Sequence, residues 1–84
     1  MKEKLNSGQK FKLEHPLIFK ILSLIEKGIT NIDEIRLDLG IGKNKIETYN
    51  YYLRIMDLVE YEKKEFKLTD FGTYILKFKE YPEI

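Results

Sequence analysis

Side chains that could carry out catalysis are few in this sequence of 84 residues. It holds a single histidine, His15, and no cysteine, and its serines, Ser7 and Ser23, stand far in sequence from any base partner. Nucleophilic catalysis needs such groups to converge, and no spacing typical of metal ligands occurs. Carboxylates such as Asp33 are explained by a solvated helix face. We therefore expect no enzyme, no cofactor, no metal and no small-molecule substrate.

A second set of polar side chains has the chemistry for binding rather than for catalysis. Asparagine pairs with adenine edges, arginine with guanine, threonine with thymine methyl groups, and lysine and tyrosine with phosphates. Seven candidates fall within a dozen residues: Lys43, Asn44, Lys45, Glu47, Thr48, Tyr51 and Arg54. The same residue types also form an ordinary solvated helix surface, so their position in the fold must decide between the two readings.

The overall charge does not decide it either. Fifteen Lys and Arg stand against fourteen Asp and Glu, which gives a formal net charge of +1. Any nucleic-acid surface must therefore come from local placement of charge. The longest apolar stretch, residues 17–25, is too short to span a bilayer, and the first twelve residues do not resemble a signal peptide. We expect a cytoplasmic protein with no membrane contact.

Three helices are predicted in the first two thirds of the chain. The first begins near Pro16 and stops at Gly28, because proline suits a helix start and glycine a helix end. Asn31, with Glu34 three residues later, predicts the start of a second helix that ends at Gly40. The third helix runs over residues 43–57, with Ile46, Tyr49, Leu53 and Met56 on its inner side.

A hairpin and a fourth helix are predicted to complete the chain. Residues 58–62 and 65–68 indicate two short strands joined around Lys63 and Lys64. Thr69 or Asp70 then caps a helix that ends before Pro82. We expect one domain over residues 15–84, preceded by a basic flexible arm at residues 1–14.

The order of these elements resembles the winged helix-turn-helix superfamily of small archaeal and bacterial DNA-binding regulators. The segment LGIGKNKI at residues 39–46, with Leu53 and LVE at 58–60, is similar to their turn, recognition helix and first wing strand. LTDFG at 68–72 is similar to their Leu-Thr-x-x-Gly junction. The resemblance covers residues 16–81 and names no particular regulator.

The resemblance implies an α+β winged helix: a three-helix core, a small antiparallel hairpin wing in a three-stranded sheet, and an extra C-terminal helix. It also implies that the third helix enters the major groove of double-stranded DNA, with Lys43 and Asn44 reaching deepest. Lys63, Lys64 and Lys67 of the hairpin would contact the backbone, although nearby glutamates cancel part of their field. Two positions depart from the pattern: Asp57 replaces a usual glycine, and Asn50 a usual apolar residue.

Two other interpretations remain open. The segment at residues 39–42 also resembles the hairpin of helix-hairpin-helix proteins, but that motif favours a small residue at Lys45 and does not predict the strands that follow. A winged helix used for protein contact without reading DNA is the stronger alternative, since the net charge is nearly neutral.

The last helix carries more apolar residues than one face packed on a small core needs. They are Phe71, Tyr74, Ile75, Leu76 and Phe78. A homodimer that pairs through this helix would place two recognition helices about 34 Å apart, which matches a palindromic site. Alternatively, these residues simply close the core.

Overall fold

The computed structural model describes residues 15–80, with side chains from Pro16 to Phe78. Within residues 15–80, four helices and a two-stranded antiparallel hairpin follow one another in the predicted order. The elements are α1 (His15–Glu26), α2 (Ile32–Leu39), α3 (Lys43–Ile55), β1 (Val59–Glu62), β2 (Glu65–Leu68) and α4 (Asp70–Glu80). This α+β arrangement is compatible with a winged-helix layout. The predicted arm at residues 1–14 lies outside the described residues.

The core lies where α1 crosses the other helices and the hairpin. Ile21 and Leu22 of α1 are completely buried, together with Ile35 of α2 and Tyr49 and Leu53 of α3. These positions recur at helical spacing in each element, so the apolar pattern sets which face turns inward. The remaining buried apolar residues are Leu17, Ile18, Ile25, Ile32, Ile46, Leu58, Val59, Phe66 and Leu76.

The same backbone device ends the first three helices. After α2, Gly40 takes a left-handed φ of 69°, and the Ile41 N–H donates to the Arg36 carbonyl at 3.1 Å. After α3, Asp57 takes a φ of 63°, and the Leu58 N–H donates to the Leu53 carbonyl at 2.9 Å. These are Schellman motifs, which satisfy carbonyls that a helix end would otherwise leave unpaired.

The Schellman motif at Asp57 corrects the predicted end of the third helix. The helix stops at Ile55 rather than at residue 57, because the left-handed backbone at Asp57 cannot continue it. Met56, predicted to face inward, is exposed instead. Asp57 stands where winged-helix regulators usually have a glycine, and it adopts the left-handed conformation that glycine favours. The chain then continues through Leu58 into β1.

Two capping predictions are resolved by the hydrogen bonds. The Asn31 side chain accepts from the backbone N–H groups of Asp33 and Glu34 at 2.9 and 3.2 Å, so it caps α2 as predicted. Thr69, not Asp70, caps α4, because its hydroxyl accepts from the Gly72 N–H at 2.8 Å. Both caps satisfy amides that a helix start leaves free.

The sheet has two strands in the described part of the chain, not the three expected. β1 pairs with β2 in antiparallel register, Val59 opposite Leu68 and Tyr61 opposite Phe66. The β-prone stretch before α2 contributes one bridge, Asn31 opposite Glu65. Residues 27–31 lie between the end of α1 at Glu26 and the start of α2, and this one bridge does not amount to a third strand.

The last helix packs closely against the end of α3. The Thr69 hydroxyl donates to the Asp57 carbonyl at 2.6 Å, and a Cβ on Gly72 would lie 2.0 Å from the Leu58 carbonyl oxygen. This close approach explains the glycine of the junction motif. Leu76 is buried and Ile75 packs against the core, whereas the three aromatic residues Phe71, Tyr74 and Phe78 are exposed.

Within residues 15–80, every helix is too short or too polar to cross a membrane.

Candidate nucleic-acid interface

The polar residues of α3 divide into two parallel strips. Positions spaced by four, three and four residues share one side of a helix. The outer strip consists of Asn44, Thr48, Tyr51 and Ile55, and it points away from the buried side. The groove strip consists of Lys43, Glu47, Asn50 and Arg54, and it borders α2 and the hairpin. The single outer face predicted from the sequence is therefore two surfaces with different chemistry.

The outer strip is uncharged. Asn44 and Tyr51 are exposed, and Thr48 is half-buried. The Thr48 hydroxyl donates to the Asn44 carbonyl at 3.0 Å, within the same helix, so its methyl group is the part best suited to a partner. An amide, a methyl group and a phenol offer hydrogen bonds and apolar contact without long-range charge.

The groove strip lines a cleft of about 610 Å³ between α2, α3 and the hairpin. Four cations border this cleft, Arg36, Lys43, Arg54 and Lys64, against two carboxylates, Asp33 and Glu47. The cleft therefore carries two net positive charges, more than the whole chain. Ile32, Ile46, Asn50 and Tyr61 complete its lining.

Arg54 is held in place by two neighbours in this cleft. Its Nε–H donates to Asn50 Oδ1 at 3.0 Å, and its Cζ lies 6.0 Å from the centre of the Tyr61 ring. Asn50 is 6% exposed and is the buried polar residue among the described side chains. Asn50 stands where winged-helix proteins usually have an apolar residue, and here its side chain makes a specific contact with Arg54.

Arg36 is less well satisfied. Its Nε is buried and has no hydrogen-bond partner among the described residues. The nearest carboxylate oxygen, Oδ1 of Asp33, is 3.9 Å away, beyond hydrogen-bond distance. Arg36 is a cation that sequence reasoning did not single out, because an arginine on a short helix gives no local signal of its surroundings.

The hairpin lysines lie beside α2 rather than on a projecting loop. Lys63 and Lys64 form a two-residue turn, and both have left-handed φ values, 54° and 67°. The Lys64 carbonyl accepts from the Ile32 N–H at 2.9 Å, and its Nζ is 3.7 Å from Asp33 Oδ2. Lys63 is exposed at the turn. The predicted wing is therefore short, and the charge of Lys64 is partly compensated.

Lys45 stands apart from both strips. It is half-buried and lies about a quarter-turn or more beyond the outer strip, on the side away from the cleft. Lys67 of β2 is exposed and pairs across the hairpin with Glu60. Neither lysine is brought to the cleft.

Within residues 15–80, no three His, Asp or Glu side chains are arranged to hold a metal ion. The side chain of His15 lies outside the described residues. No protein-family model matches this chain, and no curated protein sequence is significantly similar to it.

Proposed function

We propose that this chain is a winged-helix protein that reads double-stranded DNA sequence and regulates transcription. In this proposal the outer strip of α3 enters the major groove, and the cations of the cleft and of the hairpin turn contact the phosphate backbone. Asn44 and Tyr51 supply contacts to base edges, while Lys43 and Arg54 neutralise phosphates. The division of α3 suits a protein that must both position itself on DNA and read sequence.

The observation that carries the proposal is the concentration of positive charge in a cleft beside one exposed helix that follows a tight turn. Four cations against two carboxylates give this cleft a net charge of +2, while the whole chain carries +1. Lys43 and Asn44 stand in the first turn of α3, directly after Gly42. That is where a recognition helix reaches deepest into a groove.

The proposal is tested by fluorescence-anisotropy titration of a labelled random-sequence duplex at about 50 mM and about 200 mM salt. Three neutralised phosphates would weaken binding roughly 40-fold between these conditions, because each releases close to one counterion. The K43A/N44A variant should bind this duplex about 10-fold more weakly at low salt, since it loses one phosphate contact.

K20A is the matched control, because it removes one exposed lysine from α1, outside the cleft. It should bind DNA like the unaltered chain. Absence of binding at low salt, or equal losses in K20A and K43A/N44A, would contradict the proposal.

A protein partner is the second candidate function, and one observation favours it. The last turns of α3 end in exposed apolar side chains, namely Tyr51, Tyr52, Ile55 and Met56. If a protein partner bound this apolar surface, its affinity would depend little on salt, whereas affinity for DNA falls steeply as salt is added. The salt dependence of binding therefore distinguishes the two candidate functions.

We also propose that the protein acts as a homodimer through α4. The exposed fractions of Phe71, Tyr74 and Phe78 are 47%, 60% and 65%, at the spacing of three and four residues that pairs helices. Tyr74 and Phe78 stack with centres 6.0 Å apart. A second copy is the natural partner, because the stripe runs along the helix and can pair with itself in antiparallel.

A further inference from the structure

We propose that Arg54 binds a DNA backbone phosphate and that Asn50 and Tyr61 are positioning residues for its guanidinium. This inference rests on the proposed function, in which Arg54 already contacts a phosphate, and extends it to two further residues, Asn50 and Tyr61.

Asn50 is a buried amide on the side of α3 that borders the cleft. Burying an amide without partners is unfavourable, and apolar residues occupy the neighbouring buried positions of α3, Ile46, Tyr49 and Leu53. An asparagine there satisfies its oxygen by accepting from Arg54 Nε at 3.0 Å. Packing alone would be served as well by leucine, so the amide serves the arginine rather than the core.

The guanidinium of Arg54 is held by one hydrogen bond and one aromatic ring. An arginine has five N–H donors, and the bond through Nε leaves the four on the terminal nitrogens for a ligand. Tyr61 lies beneath the cation, with the ring centre 6.0 Å from Cζ. One hydrogen bond and one ring face together restrict a side chain that would otherwise sample many rotamers.

A phosphodiester is the ligand whose geometry and charge suit this guanidinium. The planar guanidinium matches the paired oxygens of a phosphodiester, with two parallel hydrogen bonds. Arg54 shares its cleft with Lys43, Arg36 and Lys64, so the local field favours an anion. Lys43 lies eleven residues earlier on the same strip, roughly 16 Å along the helix axis, which allows the two cations to contact different phosphates of one backbone.

The test is a double-mutant cycle between Asn50→Leu and Arg54→Ala, read by anisotropy on a random-sequence duplex over a range of salt. R54A should lower affinity about 10-fold and reduce the slope of log affinity against log salt by about 0.9, the loss of one phosphate contact. N50L keeps the arginine but should lower affinity about 5-fold, because the guanidinium is no longer held.

The decisive comparison is N50L in the R54A background, where it should have no further effect on affinity. Y61F, which keeps the ring, should bind like the unaltered chain, whereas Y61L should weaken binding as N50L does. N50L should unfold thermally no earlier than the unaltered chain, since an apolar side chain replaces a buried amide. Loss of affinity without loss of stability separates a positioning role from a folding role.

Equal effects of N50L with and without Arg54, or no effect at all, would overturn the inference while leaving the proposed function intact. A chain that binds no duplex at low salt would overturn both. The unaltered chain, measured first, therefore distinguishes the two failures.

Discussion

Asp57 adopts a backbone conformation that favours glycine. Its φ of 63° lies in the left-handed region, where a non-glycine residue is disfavoured by roughly 1 kcal/mol. Its carboxylate also stands at the negative end of the α3 dipole. The chain tolerates both because the Schellman bonds and the Thr69 hydroxyl fix this junction.

We predict that Asp57→Gly raises the free energy of unfolding by about 1 kcal/mol, through relief of the left-handed backbone and of the unfavourable charge. Asp57→Asn is the control, because it removes only the charge and should gain a few tenths of a kcal/mol. Urea unfolding followed by circular dichroism measures both. A D57G protein less stable than the unaltered chain would contradict this account of the junction.

At Gly72, in contrast to Asp57, glycine is already the residue that the structure favours. An added methyl group would lie 2.0 Å from the Leu58 carbonyl oxygen, so α4 must shift away from the end of α3. We predict that Gly72→Ala lowers the free energy of unfolding by about 3 kcal/mol. Gly42→Ala places the same group in open space and should cost less than about 1 kcal/mol, the weaker helix cap. Similar losses for both, measured by urea unfolding, would be inconsistent with a backbone clash.

For most of the helix starts and ends, neighbouring residues in the sequence were enough to make correct predictions. The caps at Asn31 and Thr69 and the helix end at Gly40 depend on residues within one turn, so a single sequence reveals them. The exposed Met56 follows from the left-handed backbone at Asp57, which ends α3 early although no glycine stands there. The missing third strand depends instead on where distant segments meet. The same holds for the division of α3 into two strips, which appears only once α2 and the hairpin border one side of the helix.

The hairpin turn offers a test in which stability and binding change in opposite directions. Both turn positions require left-handed backbone, which asparagine and glycine accept more readily than lysine. We predict that the K63N/K64G double variant gains about 1 kcal/mol of unfolding free energy. If these lysines touch the DNA backbone, the same variant should bind duplex DNA more weakly at low salt. A less stable variant would show that the turn is not a source of strain.

The aromatic stripe of α4 gives a prediction about self-association. A buried aromatic ring removes roughly 150–250 Å² from water, so the exposed parts of the three rings would bury roughly 700 Å² in a dimer. A stable interface needs at least about 1,200 Å². We therefore expect a weak dimer that DNA reinforces by holding two copies on adjacent half-sites.

We predict that Phe78→Ala removes dimerisation, as measured by sedimentation equilibrium at high protein concentration. Leu37→Ala is the matched control, because Leu37 is 69% exposed but lies on α2. It should leave the association unchanged. An unaltered chain that remains a monomer at the highest concentrations, with and without a palindromic duplex, would refute the dimer.

Across the whole molecule, positive charge is concentrated in one place although the net charge is small. The chain is nearly neutral, yet one cleft gathers four cations beside a helix whose outer strip is uncharged. In the proposed function, this arrangement would separate positioning on the DNA backbone from reading of the bases. Composition alone could not show this, because residues more than 20 positions apart in sequence, such as Arg36 and Tyr61 or Lys43 and Lys64, line one cleft only in the folded chain.

NMR titration of the ¹⁵N-labelled protein with duplex DNA tests directly whether α3 lies on DNA. If it does, the largest chemical-shift changes will fall on the amides of residues 43–48 and on the Nε groups of Arg54 and Arg36, and added salt will reverse them. Shifts confined to α1 or α4, or no shifts at low salt, would contradict the placement of α3 on DNA.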